Sequence, residues 1–391
     1  MTDLDRFLCV CHGDPADPPD YVPIFGFAGA PGLSGGVLRQ LHRRLVAQGM
    51  PEWVDGDLSL SQPYTVDSWC RYWGTTVPLY ADFFPADAGG PGFQVDCRIE
   101  DDWQVIESET GAVTRQPLDN DEIYFMPHYV AYDVRDRASW EFYRDRTTPG
   151  PAWSSERIDE AARKFDGRDR PLCVGAGSTW GWLRGLMGPE MACTILHDKP
   201  ALAHDILDYQ TWIRRTYIFP MIERLRPEVI ATGEDMCYNH GLLISPRHFR
   251  EFCAPAYREI GEVARDCGVT MVAVDTDGNF MELVPLLEEC GVNAIYPAEA
   301  KPGNDLFALR DRHPNFIFMG WLEKECVNEG MEHLIEAEVL GKVPPLLASG
   351  RYLPNLEHAA QPMATFDNVR RFMTLLHDVT GNPEGTFPRL R

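Results

Sequence analysis

Residues 269–279 read VTMVAVDTDGN. Val269, Met271, Val272 and Val274 make a short apolar, β-branched run of the kind that forms a buried strand. The run then breaks into Asp275, Thr276, Asp277, Gly278 and Asn279. In extended chain, residues spaced i and i+2 point the same way, so the strand ends in two carboxylates on one side. Ionised carboxylates that close repel each other unless a proton, a cation or water separates them.

The same pattern recurs on both sides of this stretch. PLCVGAG (171–177), VIATGEDM (229–236), NAIYPAEA (293–300), FIFMGWLE (316–323) and RYLPNLEH (351–358) each read as a strand. Helical stretches separate them: up to about Leu225, Pro246 to Asp266, Phe280 to Cys290, Leu306 to Arg312, Lys324 to Leu340 and Phe366 to Val379. Ser245 suits an N-cap and Pro246 the first turn that follows it. Strands alternating with helices imply a parallel sheet. Repetition of this unit in one chain predicts a closed (β/α)8 barrel rather than an open sheet.

Upstream, the first 70 residues are rich in Pro and Gly, with a strand-like run at Val22 to Phe27 and a helix-like run at Val37 to Gln48. They read as an N-terminal extension. Residues 93–118, FQVDCRIEDDWQVIESETGAVTRQPL, alternate polar and apolar residues, which predicts antiparallel hairpins inserted into the barrel. The expectation is one domain over residues 1–391. No GxGxxG follows a strand and no GxxxxGK[ST] is present, so nucleotide binding has no support.

Composition narrows the function further. The 391 residues are 44% hydrophobic and 24% charged, with a formal net charge of -23. The sequence pI is about 4.8, which opposes general binding to nucleic acid or anionic membrane. Eleven cysteines (an odd count) with no CxxC pair fit reduced thiols. The N-terminus MTDLDRFLCVCHGD has no basic segment leading an apolar one, which predicts a cytoplasmic protein. Its Cys9, Cys11 and His12 read as an incidental cluster. No apolar run is long enough to span a bilayer.

In such barrels chemistry lies at the C-terminal ends of the strands. Those ends supply Glu234 and Asp235, Asp275 and Asp277, Glu299, Trp321, and finally Glu357 and His358. Bland readings stand beside this one. Asp275 or Asp277 caps the next helix, or Glu234 and Asp235 pair with Arg247 and Arg250. Against these, several acids converging on one mouth are costly without cations, shared protons or substrate. Arg184, in STWGWLRGLMG, is the nearest candidate for an anionic group. Tyr238, Tyr296, Trp180, Trp182 and Trp321 are candidates to line an apolar slot.

These residues carry a resemblance. GEDMCYNHGLLISPRHFREFCAPAYREI (233–260), ECGVNAIYPAEA (289–300), GKVPPLLASGRYLPNLEHAAQPMATFDNVRRFM (341–373) and MPHYVAYDVRDRASWEFYRD (126–145) are similar to segments of the uroporphyrinogen decarboxylase superfamily. That superfamily includes corrinoid-linked methyltransferases and has a TIM-barrel fold. The arginine-rich RQAGR-type motif of the true decarboxylases is missing, since the region reads VPIFGFAGAPGLSGGVLRQL with only Arg39 and Gln40. The final NLEH resembles the NLGH of the decarboxylases, which places His358 on their active-site histidine. In the zinc-dependent methyltransferases an HxCG motif falls where Asp275, Thr276, Asp277 and Gly278 stand here, and a distal cysteine falls on His358.

The resemblance therefore implies Asp275, Asp277 and His358 as catalytic residues, or as ligands of a divalent metal such as zinc. Glu234 and Asp235 complete the catalytic set by orienting substrate or tuning the acid. Tyr238, Asn239, His240, Tyr296, Glu299, Trp321 and Arg184 are the expected substrate contacts. The expected reaction moves a methyl group from an O-methyl donor, methoxylated and aromatic in character, to the Co(I) corrinoid of a separate corrinoid protein. The alternative is a cofactor-free decarboxylase of a smaller aromatic acid. A homodimer remains open.

Overall fold

The computed structural model describes residues 1–14, 16–27, 32–57, 66–81, 96–107, 111–118 and 127–390. Seven parallel strands form one curled sheet. They are β2 (Leu79–Tyr80), β3 (Leu172–Gly175), β4 (Val229–Gly233), β5 (Met271–Asp275), β6 (Ala294–Ala298), β7 (Ile317–Leu322) and β8 (Tyr352–Leu356). Each pairs with its neighbours in chain order, from β8 at one edge to β2 at the other. The crossovers are helical, as parallel pairing requires.

Strand β1 (Ile24–Phe25) brings the two edges together. It pairs in parallel with Thr75–Thr76, just upstream of β2. On its other side the Asn355 amide of β8 donates to the Phe25 carbonyl at 3.3 Å and to Ser34 Oγ at 2.5 Å, while accepting from the Leu33 amide at 3.0 Å. Asn355 is completely buried, so a polar side chain rather than a continuous backbone ladder joins β8 to β1.

Two apolar layers follow. The strands' outward residues and the helices form the larger one. The barrel interior is smaller: Phe25, Phe27, Cys173, Val229, Met271, Ala273, Ala294, Tyr296, Ile317, Met319 and Leu353. Helix α1 (Asp3–His12) fills its lower end with Phe7, Val10 and Cys11. The sequence reading assigned no helix here. Its local signals are the Thr2/Asp5 capping box and the i, i+3, i+4 spacing of the three buried residues. The buried Phe7 ring alone is worth about 1.5–3 kcal/mol in area removed from water.

Other departures have local causes. The helix expected over Pro246 to Asp266 is interrupted by a π turn at Phe249–Cys253 before continuing as Ala254–Cys267. The helix expected from Lys324 to Leu340 begins as 3-10 turns; its α-helical part runs Ile335–Ser349, straight through Pro344 and Pro345. The inserted sheet has four antiparallel strands, Asp96–Glu100, Trp103–Glu107, Val113–Pro117 and His128–Ala131. It therefore reaches beyond the 93–118 segment; residues 93–95 and 108–110 of that segment lie outside the described residues.

Candidate active site

The upper mouth of the barrel opens where Gly175 and Gly233, the last residues of β3 and β4, are exposed. Glu234, immediately after β4, is turned inward and is 1% exposed. Its carboxylate accepts from the amides of Thr179 at 2.7 Å and Gly181 at 2.8 Å, from the Thr179 hydroxyl at 3.0 Å, and from the Tyr257 hydroxyl. Burial pushes the carboxyl up, and the four hydrogen bonds pull it back. The buried Arg214, held to the Ser178 carbonyl at 3.2 Å, supplies the nearby positive charge. This corrects the expectation that Glu234 orients substrate: its acceptors are spent on the N-terminus of helix Trp180–Met187. That helix packs so closely that a Cβ on Gly181 would lie 2.5 Å from the Gly233 carbonyl oxygen.

Asp235 points the other way. It adopts φ +46°, a conformation that Asp tolerates better than most residues. Its amide donates to the Asp275 carbonyl at 3.2 Å, and its Oδ2 pairs with Arg184 at 2.5 Å. Arg184 was expected to bind an anionic substrate; its guanidinium is instead engaged by Asp235. The sequence offered Arg247 and Arg250 as partners, but Arg250 binds Glu289 at 2.8 Å.

Asp275 and Asp277 stand beside this pair, and neither caps the following helix, which begins at Leu283. Burial first, then the Asp235 and Asp277 charges, pushes the Asp275 carboxyl up to about 8. Burial, Asp235 and Glu299 push Asp277 up to about 6. At pH 7 Asp275 therefore keeps its proton and Asp277 has largely lost it. Such splitting of neighbouring carboxyls is how one site holds an acid and a base together.

His358 faces Asp277 across 3.8 Å between Nε2 and Oδ1. The Ala359 amide donates to its Nδ1 at 2.8 Å, so the neutral ring carries its proton on Nε2, toward Asp277. Burial and Lys324 hold the imidazole below its ordinary range, so it is neutral at pH 7. Lys324 was not anticipated as a site residue. It sits 3.8 Å from Glu299 and its charge reaches Asp277 as well. The available signal was its position directly behind β7, in LEKE.

The expected aromatic and polar contacts divide. Glu299 accepts from the Gly278 amide at 2.7 Å and so braces the loop that carries Asp277. Tyr296, paired in register with Asp275, lies inside the barrel with its ring 4.3 Å from Phe27. Trp321 is buried outside it, donating from its indole to the Asn304 carbonyl at 2.8 Å under the Lys342 ammonium. Neither Trp321 nor Tyr296 lines an open slot, which corrects that expectation. Tyr238, Asn239 and His240 are exposed on a small rim hairpin, Cys237–Tyr238 with Gly241–Leu242.

The metal expectation also changes. Among the described residues no group of three or more His, Cys, Asp and Glu side chains could hold a metal ion. Asp277 and His358 approach to 3.8 Å, and no third donor joins them among the described residues. The described residues therefore do not fit a three-donor metal centre, and activation of the leaving group is assigned below to a proton.

The comparisons bear on the fold and the family. A methyltransferase from Methanosarcina mazei superposes with a TM-score of 0.56 at 14% identity, covering 97% of this chain and 98% of that one. At that identity the likeness bears on the fold alone. No curated protein sequence matches. The profile of the uroporphyrinogen decarboxylase (URO-D) family matches residues 129–379, from the last strand of the inserted sheet to the final helix. With that match over more than half its length, on a barrel whose strand ends converge on one acidic mouth, the chain belongs to the uroporphyrinogen decarboxylase family.

Proposed function

We propose that the protein is a methyltransferase that removes a methyl group from a methoxylated aromatic donor, with Asp275 as general acid. The carrying observation is the mouth itself: Asp275 lies next to Asp235 and Asp277, where burial and like charge keep its proton in place at neutral pH. An ether oxygen leaves poorly as an alkoxide or phenolate, and a positioned acid removes that obstacle. In the step, the acceptor's electron pair forms a bond to the methyl carbon as the carbon–oxygen bond breaks. The bonding electrons pass to oxygen, which takes the Asp275 proton. Asp277, with the His358 Nε2–H aimed at it, then returns a proton to Asp275 from solvent.

We assign the methyl acceptor as the Co(I) corrinoid of a separate protein, reaching the mouth from outside. Strong acidity fits a basic docking face on that partner, since the formal net charge is -23. The decarboxylase reading needs a cation for the substrate carboxylate. Arg184 is already paired with Asp235 at 2.5 Å, which disfavours it.

The test is methyl transfer from methoxylated aromatics to a Co(I) corrinoid protein, followed by the visible spectrum of the corrinoid. Asp275→Asn is expected to slow transfer by about 10²–10⁴-fold. Full activity in that variant would remove the acid from the mechanism. Release of CO2 from an aromatic acid without any corrinoid would favour the decarboxylase instead.

A further inference from the structure

The last strand of the inserted sheet and the residue just beyond it carry two tyrosines whose position the barrel chemistry leaves unexplained. Tyr129, on the strand His128–Ala131, stacks on Tyr132 with ring centroids 5.9 Å apart and planes 11° from parallel. Tyr129 remains 53% exposed, so one face of the stacked pair stays open to a further ring.

The stack is anchored to the helix that bears Arg184. The Val134 amide donates to the Leu186 carbonyl at 3.2 Å. Tyr132 fills the space above Gly188, where a Cβ would come within 2.5 Å of Cε2 of the tyrosine ring. Asp133, between them, pairs with Arg146 at 2.5 Å. Arg184, on the last turn of the same helix, lies close enough for its charge to act on the Tyr132 hydroxyl, and its guanidinium meets Asp235 of the mouth. The aromatic pair thus packs on the C-terminal end of the helix whose Arg184 reaches Asp235 at the mouth.

We infer that Tyr129 and Tyr132 form a stacking wall that selects a planar aromatic donor at this mouth. The inference deepens the methyltransferase reading and rests on it for the donor's chemical class. Offset or parallel stacking on such a pair favours a ring over a saturated group of the same size by about three- to tenfold in affinity. The inserted sheet thereby acquires a purpose: it places specificity on an element separate from the strand ends that carry the acid.

The test is binding of 2-methoxyphenol and of methoxycyclohexane to the full chain, followed by saturation-transfer NMR and calorimetry. Neither needs a corrinoid. The wild type is expected to favour 2-methoxyphenol by about three- to tenfold, and Tyr129→Phe to retain that ratio. Tyr129→Leu, on a half-exposed position that tolerates the change, is expected to bring the ratio close to one. An unchanged ratio in Tyr129→Leu, or equal binding of the two ethers by the wild type, overturns the inference. Methyl transfer with a ratio insensitive to Tyr129→Leu would sink the stacking wall and keep the reaction. A ratio that depends on Tyr129 without any transfer to Co(I) would keep the wall and sink the reaction.

Discussion

Asp235→Asn separates the two causes that raise Asp275, because it removes a charge and leaves burial in place. Asn is at home at φ +46°, so the backbone need not move. A unit charge at about 6 Å and an effective dielectric constant of about 20 contributes roughly 2.8 kcal/mol, or about 2 pKa units. The ion pair with Arg184 offsets a good part of that. The substitution also leaves the Arg184 charge without its carboxylate, which acts in the same direction. Asp275, held at about 8 in the native chain, is therefore expected to titrate at least about 1 unit lower in the variant. Carbon-13 NMR of selectively labelled aspartate side chains, with Asp275→Asn to assign the resonance, reads this directly. In the transfer assay the same shift moves the alkaline limb of the pH profile down by the same amount. An Asp275 value equal to or above the native one would refute the argument that like charge holds the proton.

Further outcomes follow from the same contacts. The folded chain keeps the Asp275 proton up to about pH 8, whereas an unfolded aspartate loses it near 3.8, so stability falls as pH rises between those values. Asp275→Asn should accordingly gain stability relative to the native chain between pH 4 and pH 9, by on the order of 5 kcal/mol over that interval; a difference independent of pH in urea unfolding would count against this. Glu234→Ala strands four inward donors and the Arg214 charge, with an expected cost of about 3 kcal/mol or more, and a thermal unfolding shift below about 1 kcal/mol would contradict the bracing role. Phe7→Ala should cost about 3–5 kcal/mol by emptying the lower end of the barrel, measured by urea unfolding, where a cost under 1 kcal/mol would show α1 to be peripheral. Gly278 has φ +85° and its Cβ position lies 2.7 Å from the Tyr238 amide nitrogen. Gly278→Ala should therefore destabilise by about 1–3 kcal/mol and, by displacing Asp277, slow transfer as well.

Local periodicity was enough to write down most of the barrel. Runs such as TMVAV and FIFMG are apolar on both faces because the strands are covered on both, and helices of 3.6-residue period must follow parallel strands. The break from apolar to acidic residues at each run's end marked the mouth, and so named Asp235, Asp275, Asp277 and His358. What the chain could not show along its length was direction. Glu234 and Asp235 are adjacent and chemically alike, yet one is enclosed by Thr179, Gly181 and Tyr257 while the other meets Arg184. That division depends on a helix 50 residues upstream in sequence closing over β4, and no pattern within VIATGEDM encodes it. The same holds for α1 in the barrel floor, for Trp321 turned to the outside, and for Lys324 beside Glu299. Ionisation was decided at this level too: burial and the Asp235 charge raise both aspartates of AVDTDGN, and they differ because Asp275 is enclosed more deeply while Asp277 also lies in the fields of Glu299 and Lys324.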